Sequence, residues 1–353
     1  MKKRKIFFAI FLISVFIFTG IFTSCSPQEK KYRAYSLDYF DTATTITGYE
    51  TNQADFDRIS AEILSLLEEY HRLYTIYHRF DGMENLCTVN ELQDGVHRVV
   101  KVDTRIIDML LYAKEMYALT NGKMNIAMGS VLSIWHDYRT RGLNEPWEAE
   151  LPPMELLYEA SQHTDINNLI IDKESSTVWI SDPQMTLDVG AVGKGYAVEM
   201  VARSLEERGI TGYVINVGGN VRTLGTKPDN KKWVAGIENP DIQSGEAYLA
   251  YLHLAGESVV TSGSYQRYYT VGDKNYHHII DSETMMPAEG YISVSVVCRN
   301  SAKADALSTA LFCMPFEEGL ALVESLQGTE AHWVMPDGTI QYSSGFLAYT
   351  VEP

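Results

Sequence analysis

The chain has 353 residues, 45% apolar and 21% charged, an ordinary globular balance that suits one large domain or two fused ones. Its formal net charge of −17 repels phosphate, which argues against nonspecific binding to nucleic acid or anionic lipid. The cysteines, Cys25, Cys87, Cys298 and Cys313, form no CxxC pair and are too few for a disulfide scaffold, so zinc ribbons and thioredoxin-like redox motifs are unsupported.

The chain opens on the shape of a secretory signal, residues 1–24. Lys2, Lys3, Arg4 and Lys5 precede an apolar run from Ile6 to about Phe22. The following Thr23-Ser24-Cys25 resembles a bacterial lipobox, in which the thiol is acylated and becomes the mature N-terminus; Phe22 stands where Leu is usual. An uncleaved membrane anchor is the alternative, since the run approaches the ~18 residues that spanning needs. Both place the rest of the chain on the extracytoplasmic face of the cell membrane. Residues 25–34 read as a lipid-anchored, polar and flexible tether, and 35–353 as the folded domain.

Helices are predicted where apolar residues recur at three-to-four spacing. These are 55–73 (Phe56, Ile59, Ile63, Leu66, Leu67, Tyr70, Leu73), 103–119 (ending at Asn121-Gly122), 194–208 (ending at Gly209) and 303–313 (before Pro315). Strands are predicted at 168–172, 177–181, 185–189, 213–217, 233–237, 248–254, 257–261, 291–298 and 332–335. The interleaving lacks a strict βαβ rhythm, so the expected class is α+β, with mixed sheets and packed helices. Residues 136–153, with Pro146, Pro152 and Pro153, read as a long surface loop.

Four segments carry candidate chemistry. Asp188-Val-Gly-Ala-Val-Gly-Lys194-Gly is a strand running through glycines into a helix, a natural phosphate cradle. It matches neither the Walker spacing nor GxGxxG, and a structural glycine turn fits it equally well. Asn216-Val-Gly-Gly-Asn220, taken alone, is more often a tight turn. Next come Thr261-Ser-Gly-Ser-Tyr265 and Tyr276-His-His278-Ile-Ile-Asp281. A histidine there could accept a proton near neutral pH or serve packing only, and two adjacent ones on an extended segment face opposite ways. Last, Asp305 and Thr309 are i and i+4 on one helix face, an oxygen pair suited to Mg2+. The bland reading is a helix-dipole aspartate and a threonine bonded to its own backbone.

In order, these segments resemble the FAD:protein FMN transferase family, the ApbE-like flavin transferase lipoproteins. The earlier Phe40-Asp-Thr42, Thr75-Ile-Tyr77, Asn121-Gly-Lys-Met-Asn125 and Trp135 fit the same pattern, and the match spans about residues 38 to 350. The resemblance implies an ApbE-like fold over 35–353, FAD in an extended cleft, and Mg2+ at its pyrophosphate. A threonine of an exported or membrane target attacks the FMN-side phosphorus and AMP leaves. Carried over by position, the metal ligands are the Ala191 carbonyl, Asp305 and Thr309. The FAD contacts are Phe40, Tyr77, Lys123, Met124, Asn125, Asp188, Lys194 and Ile279, and His278 is the general base.

Departures from the family pattern are Ser282 and Met286 near the histidine segment, Asn125 for Asp and Phe40 for Met. None touches the implied metal ligands or His278. The family's acceptors carry Asp-Gly-x-Ser/Thr-Gly-Ala-Thr, as membrane redox-pump subunits do, and this chain has no such sequence. Rival readings are an FAD pyrophosphatase giving FMN and AMP, and a non-catalytic FAD-binding lipoprotein.

Overall fold

The computed structural model describes residues 28–351. The signal and Cys25 lie outside the described residues. Among those described, no helix is long and apolar enough to cross a membrane.

An eight-stranded sheet forms the centre. Its spatial order is Lys30–Tyr39, Thr42–Glu50, Tyr213–Val217, Asn220–Leu224, Ser258–Gly263, Ser293–Cys298, Thr329–Val334 and Ile340–Tyr342. The α+β class is as expected. Where mixed sheets were expected, every described ladder is antiparallel.

The helices are α1 (Gln53–Tyr74), α2 (Leu86–Asn90), α3 (Thr104–Leu119), α4 (Gly129–Asn144), α5 (Met154–Ser161), α6 (Gly193–Glu206), α7 (Ser301–Phe312) and α8 (Phe316–Ser325). Side-chain caps open three of the four predicted ones, α6 being the exception. Asn52 accepts from Asp55 N–H, Asp103 from Arg105 N–H, and Asn300 from Lys303 N–H.

On one sheet face, Phe56, Ile59, Ile63 and Leu67 of α1 and Val198, Val201, Ala202 and Leu205 of α6 pack on Ile46, Tyr213, Ile215 and Val217. Beside them, α3 and α7 share a second core with Val294 and Val296. On the opposite face Val259 and Val297 meet Ile237, Leu252 and Leu254 of a small sheet built from Trp233–Glu238, Tyr248–Leu254 and Thr350–Val351. Cover on both faces explains why Ser293–Cys298 is buried at every position.

Three expectations need correction. First, residues 136–144 are helical. Val131, Trp135, Tyr138 and Gly142 line one face of α4, Trp135 Nε1 donates to the Met285 carbonyl at 2.8 Å, and the prolines begin only past the helix. Second, residues 185–189 join no sheet. The Asn90 amide brackets Leu187, donating to its carbonyl at 2.9 Å and accepting its N–H at 2.8 Å, while Asp188 N–H donates to Ile126 O. Third, the tether expected over 25–34 gives way to strand at Lys30, because Tyr32 stacks on Phe56 of α1 with ring centroids 5.5 Å apart.

Candidate functional site

The hairpin Lys30–Tyr39/Thr42–Glu50, the end of α1 and the start of α6 converge on one cleft. It is lined by Phe40, Asp41, His71, Tyr77, Asp188, Gly190, Lys194 and Arg267, among others. Phe40 and Asp41 form the hairpin turn at positive φ, 56° and 50°, a costly conformation for non-glycine residues. Phe40 N–H donates to His71 Nδ1 at 3.2 Å, and the two rings meet edge to face at 5.4 Å. Tyr77 is 54% exposed, so its ring is free to cover a flat ligand.

The glycine segment enters at the cleft floor. Gly190 N–H donates to Asp188 Oδ1 at 2.8 Å, and burial raises the Asp188 pKa. Behind Lys194 the packing is tight. Gly195 N–H, which an uninterrupted helix would return to the Ala191 carbonyl, instead donates to Asp305 Oδ2 at 2.8 Å. The Lys194 ammonium lies 3.8 Å from Asp305 Oδ1. Burial raises the Asp305 pKa, opposed by the charge of Lys194 and hydrogen bonds from Gly195 and Asn220. Asn220 Oδ1 is buried and has no partner. One turn along α7, Thr309 Oγ1 is 3.4 Å from Ser262 Oγ. Ala191, Asp305 and Thr309 thus offer a carbonyl, a carboxylate and a hydroxyl, a hard-oxygen donor set. Among the described residues no group of three or more His, Cys, Asp or Glu side chains is placed to hold a metal.

The adjacent histidines do diverge. His277 Nε2 contacts the Ala288 carbonyl at 2.9 Å, and its ring packs edge to face on Phe312 at 5.5 Å. His278 turns towards Arg267, whose carbonyl accepts from His278 N–H at 3.1 Å and lies 3.2 Å from His278 Nδ1. A carbonyl only accepts, so Nδ1 carries the proton and the Nε2 lone pair stays free. Burial, then the Arg267 and Arg139 guanidiniums, push the His278 pKa down to about 3.

The remaining expected contacts are more enclosed. Lys123 is buried and pairs with Asp281 at 3.4 Å and Glu283 at 3.0 Å. Met124 and Ile279 belong to the core. The Asn125 side chain caps a short turn through Ala127 N–H and donates to the Thr164 carbonyl at 2.9 Å. This strip adjoins the cleft through the Asp188 N–H bond to Ile126 O, 2.8 Å.

Sequence reasoning missed Arg139, Arg267, His136 and His71. Tyr77 and His136 rings lie 5.6 Å apart, and Arg139 Nη2 is 3.2 Å from His136 Nδ1. Both come from α4; the Val131–Trp135–Tyr138 spacing was the signal that a helix, not a loop, presents them.

A family model described as the ApbE family matches residues 40–333. The chain is 29% identical over 282 residues to an FAD:protein FMN transferase of Klebsiella pneumoniae, covering 77% of this chain and 84% of that protein. It is 30% identical over 261 residues to the Treponema pallidum protein of the same name, covering 69% and 70%. The crystal structure of the ApbE protein from Thermotoga maritima superposes with a TM-score of 0.77 at 27% identity, over 92% of this chain and 100% of that one.

Proposed function

The chain belongs to the ApbE family, and we propose on that basis that it is a transferase moving the FMN moiety of FAD onto a protein, with Mg2+ required and AMP released. The observation that carries this reading is the meeting of Asp305, Lys194 and the Gly195 N–H behind a cleft walled by Phe40 and Tyr77.

The Ala191 carbonyl, Asp305 and Thr309 would hold the ion, which when bound neutralises the pyrophosphate oxygens. Lys194 adds positive charge beside the departing AMP phosphate. The acceptor threonine oxygen bonds to the FMN-side phosphorus as the bond from phosphorus to the AMP oxygen breaks. The threonine proton passes to His278 Nε2, the nitrogen that Arg267 O leaves free. Phosphate charge between Arg139 and Arg267 offsets their repulsion of an imidazolium, so substrate raises the affinity of His278 for that proton.

The acceptor we propose is an exported or membrane flavoprotein bearing Asp-Gly-x-Ser/Thr-Gly-Ala-Thr, met outside the cytoplasmic membrane by an enzyme anchored at Cys25. The basic start, the apolar run and the small residues before Cys25 support the anchor. Replacing Cys25 with Ser then releases the protein from the membrane fraction.

The reaction is tested by incubation with FAD, MgCl2 and a protein carrying that acceptor sequence. The expected result is flavin fluorescence that stays on the acceptor after denaturation, AMP in solution, and loss of both with EDTA. Free FMN and AMP without labelled acceptor would make the protein a pyrophosphatase. FAD binding without AMP release would make it a flavin carrier.

A further inference from the structure

The two side-chain oxygen donors of the proposed metal site, Asp305 and Thr309, stand on α7, and α7 is fixed from behind by a charged residue of α6. Glu199 lies on α6, five positions past Lys194, and is 2% exposed. Its Oε2 accepts from the Ser301 backbone N–H at 2.8 Å, in the first turn of α7. The same oxygen accepts from Arg222 Nε at 3.2 Å, and Oε1 accepts from Arg203 Nε at 2.8 Å.

Three site-bearing elements therefore meet at one carboxylate. Through its own helix, Glu199 holds Lys194 and Gly195. Through Arg222 it holds the strand Asn220–Leu224. Through Ser301 it holds the helix of Asp305 and Thr309. Negative charge at the α7 N-terminus also suits the helix dipole.

A buried charge is a costly way to join helices, since apolar packing does so without desolvation. A directional bond, unlike apolar packing, fixes the axial position of a helix. Mg2+ needs near-ideal oxygen geometry at ~2.0–2.1 Å, which makes that axial position matter.

We propose that Glu199 is a positioning residue for the metal site, setting the height of α7 so that Asp305 and Thr309 align with the Ala191 carbonyl. The inference rests on the Mg2+ reading above.

Isothermal titration with MgCl2 alone, on the wild type and on Glu199→Asp, Glu199→Gln and Arg208→Gln, tests it. Glu199→Asp keeps the charge for the arginines but withdraws from Ser301 N–H. Arg208 lies past the end of α6 and pairs with Glu62 at 2.7 Å, away from the Glu199 carboxylate. Folded Glu199→Asp and Glu199→Gln should bind Mg2+ about 10–100-fold more weakly, the usual cost of losing an outer-shell partner. Arg208→Gln should bind as the wild type does. Folded Glu199 variants with wild-type Mg2+ affinity would overturn the proposal. So would failure of both to fold, which would make Glu199 a determinant of the fold alone. A wild type that binds no Mg2+ would instead overturn the metal reading itself.

Discussion

Alanine at Gly195 should separate α6 from α7 and misplace the site between them. A Cβ there falls 2.4 Å from Asp305 Cβ and 2.5 Å from the Ser301 carbonyl oxygen. Carbon atoms in good contact sit about 3.5–4.0 Å apart, so the helices must part by roughly 1 Å. That stretches the bond from Gly195 N–H to Asp305 Oδ2 beyond its present 2.8 Å, out of hydrogen-bond range. Overpacking costs about 1–3 kcal/mol and a lost bond to a charged group about 1.5–3, offset by roughly 1 from the better helix propensity of alanine. The expected loss is therefore about 1.5–5 kcal/mol. A misplacement near 1 Å costs on the order of 10²-fold in rate. Thermal melts and AMP release at saturating FAD and Mg2+ measure both. A variant with an unchanged melting temperature and turnover within about twofold of wild type would show that this contact does not set the site.

Four further outcomes follow from the same geometry. Asp305→Asn should raise the melting temperature of the metal-free protein near pH 7, because burial disfavours the charged carboxylate, and should cut turnover by about 10²–10³-fold. His278→Ala should lower single-turnover transfer by about 10²–10⁴-fold while FAD affinity, read by flavin fluorescence, holds. Acid should destabilise the protein through its buried histidines. The folded pKa values of His278 and His332 are pushed down to about 3 and about 4 by burial, so from the unfolded value near ~6.5 downwards the unfolded state binds more protons. Melting temperature should then fall steadily from pH 6.5 to 4, and His332→Phe, which removes two buried ring nitrogens without partners, should flatten that fall. Replacing Arg139 and Arg267 together with Gln should move the His278 titration, followed by NMR, upwards towards its ordinary range.

The parts legible in sequence were those with local signals. α1, α3, α6 and α7 announce themselves through apolar spacing, and their predicted bounds differ from the observed ones by a few residues at most. The first hairpin does not. Lys30–Tyr39 is an edge strand with Tyr35 and Leu37 exposed, and its turn is Phe40-Asp41 where an Asn-Gly pair is the usual sign. The same unfavourable turn puts Phe40 into the cleft. The site divides likewise. Asp188, Lys194 and Asp305 were reached through ordered motifs, whereas Arg139, Arg267 and Glu199 act through partners 11 to 139 positions away, as in Arg267 to His278, Glu199 to Arg222 and His278 to Arg139. Long-range pairing of that kind leaves no periodic trace.

In the glycine segment the sequence motif and the fold give the glycines different tasks. Read as a phosphate cradle, Asp188–Gly195 would spend its glycines on close backbone approach to a ligand. In the fold they do different things. A Cβ at Gly193 would press on Val189 Cγ2 at 3.3 Å, and Gly195 is excluded from bearing one by Asp305 and Ser301. Only Gly190 is exposed. The helix N-terminus is therefore partly occupied already, its Gly195 N–H spent on a carboxylate of the protein itself. What it cradles directly is Asp305, and any phosphate is reached at one remove, through the ion that Asp305 would hold and through Lys194. A phosphate-binding loop of the usual kind should tolerate loss of a distant aspartate. Here, loss of Asp305 removes both the proposed metal ligand and the partner that holds the Gly195 N–H of the first turn of α6.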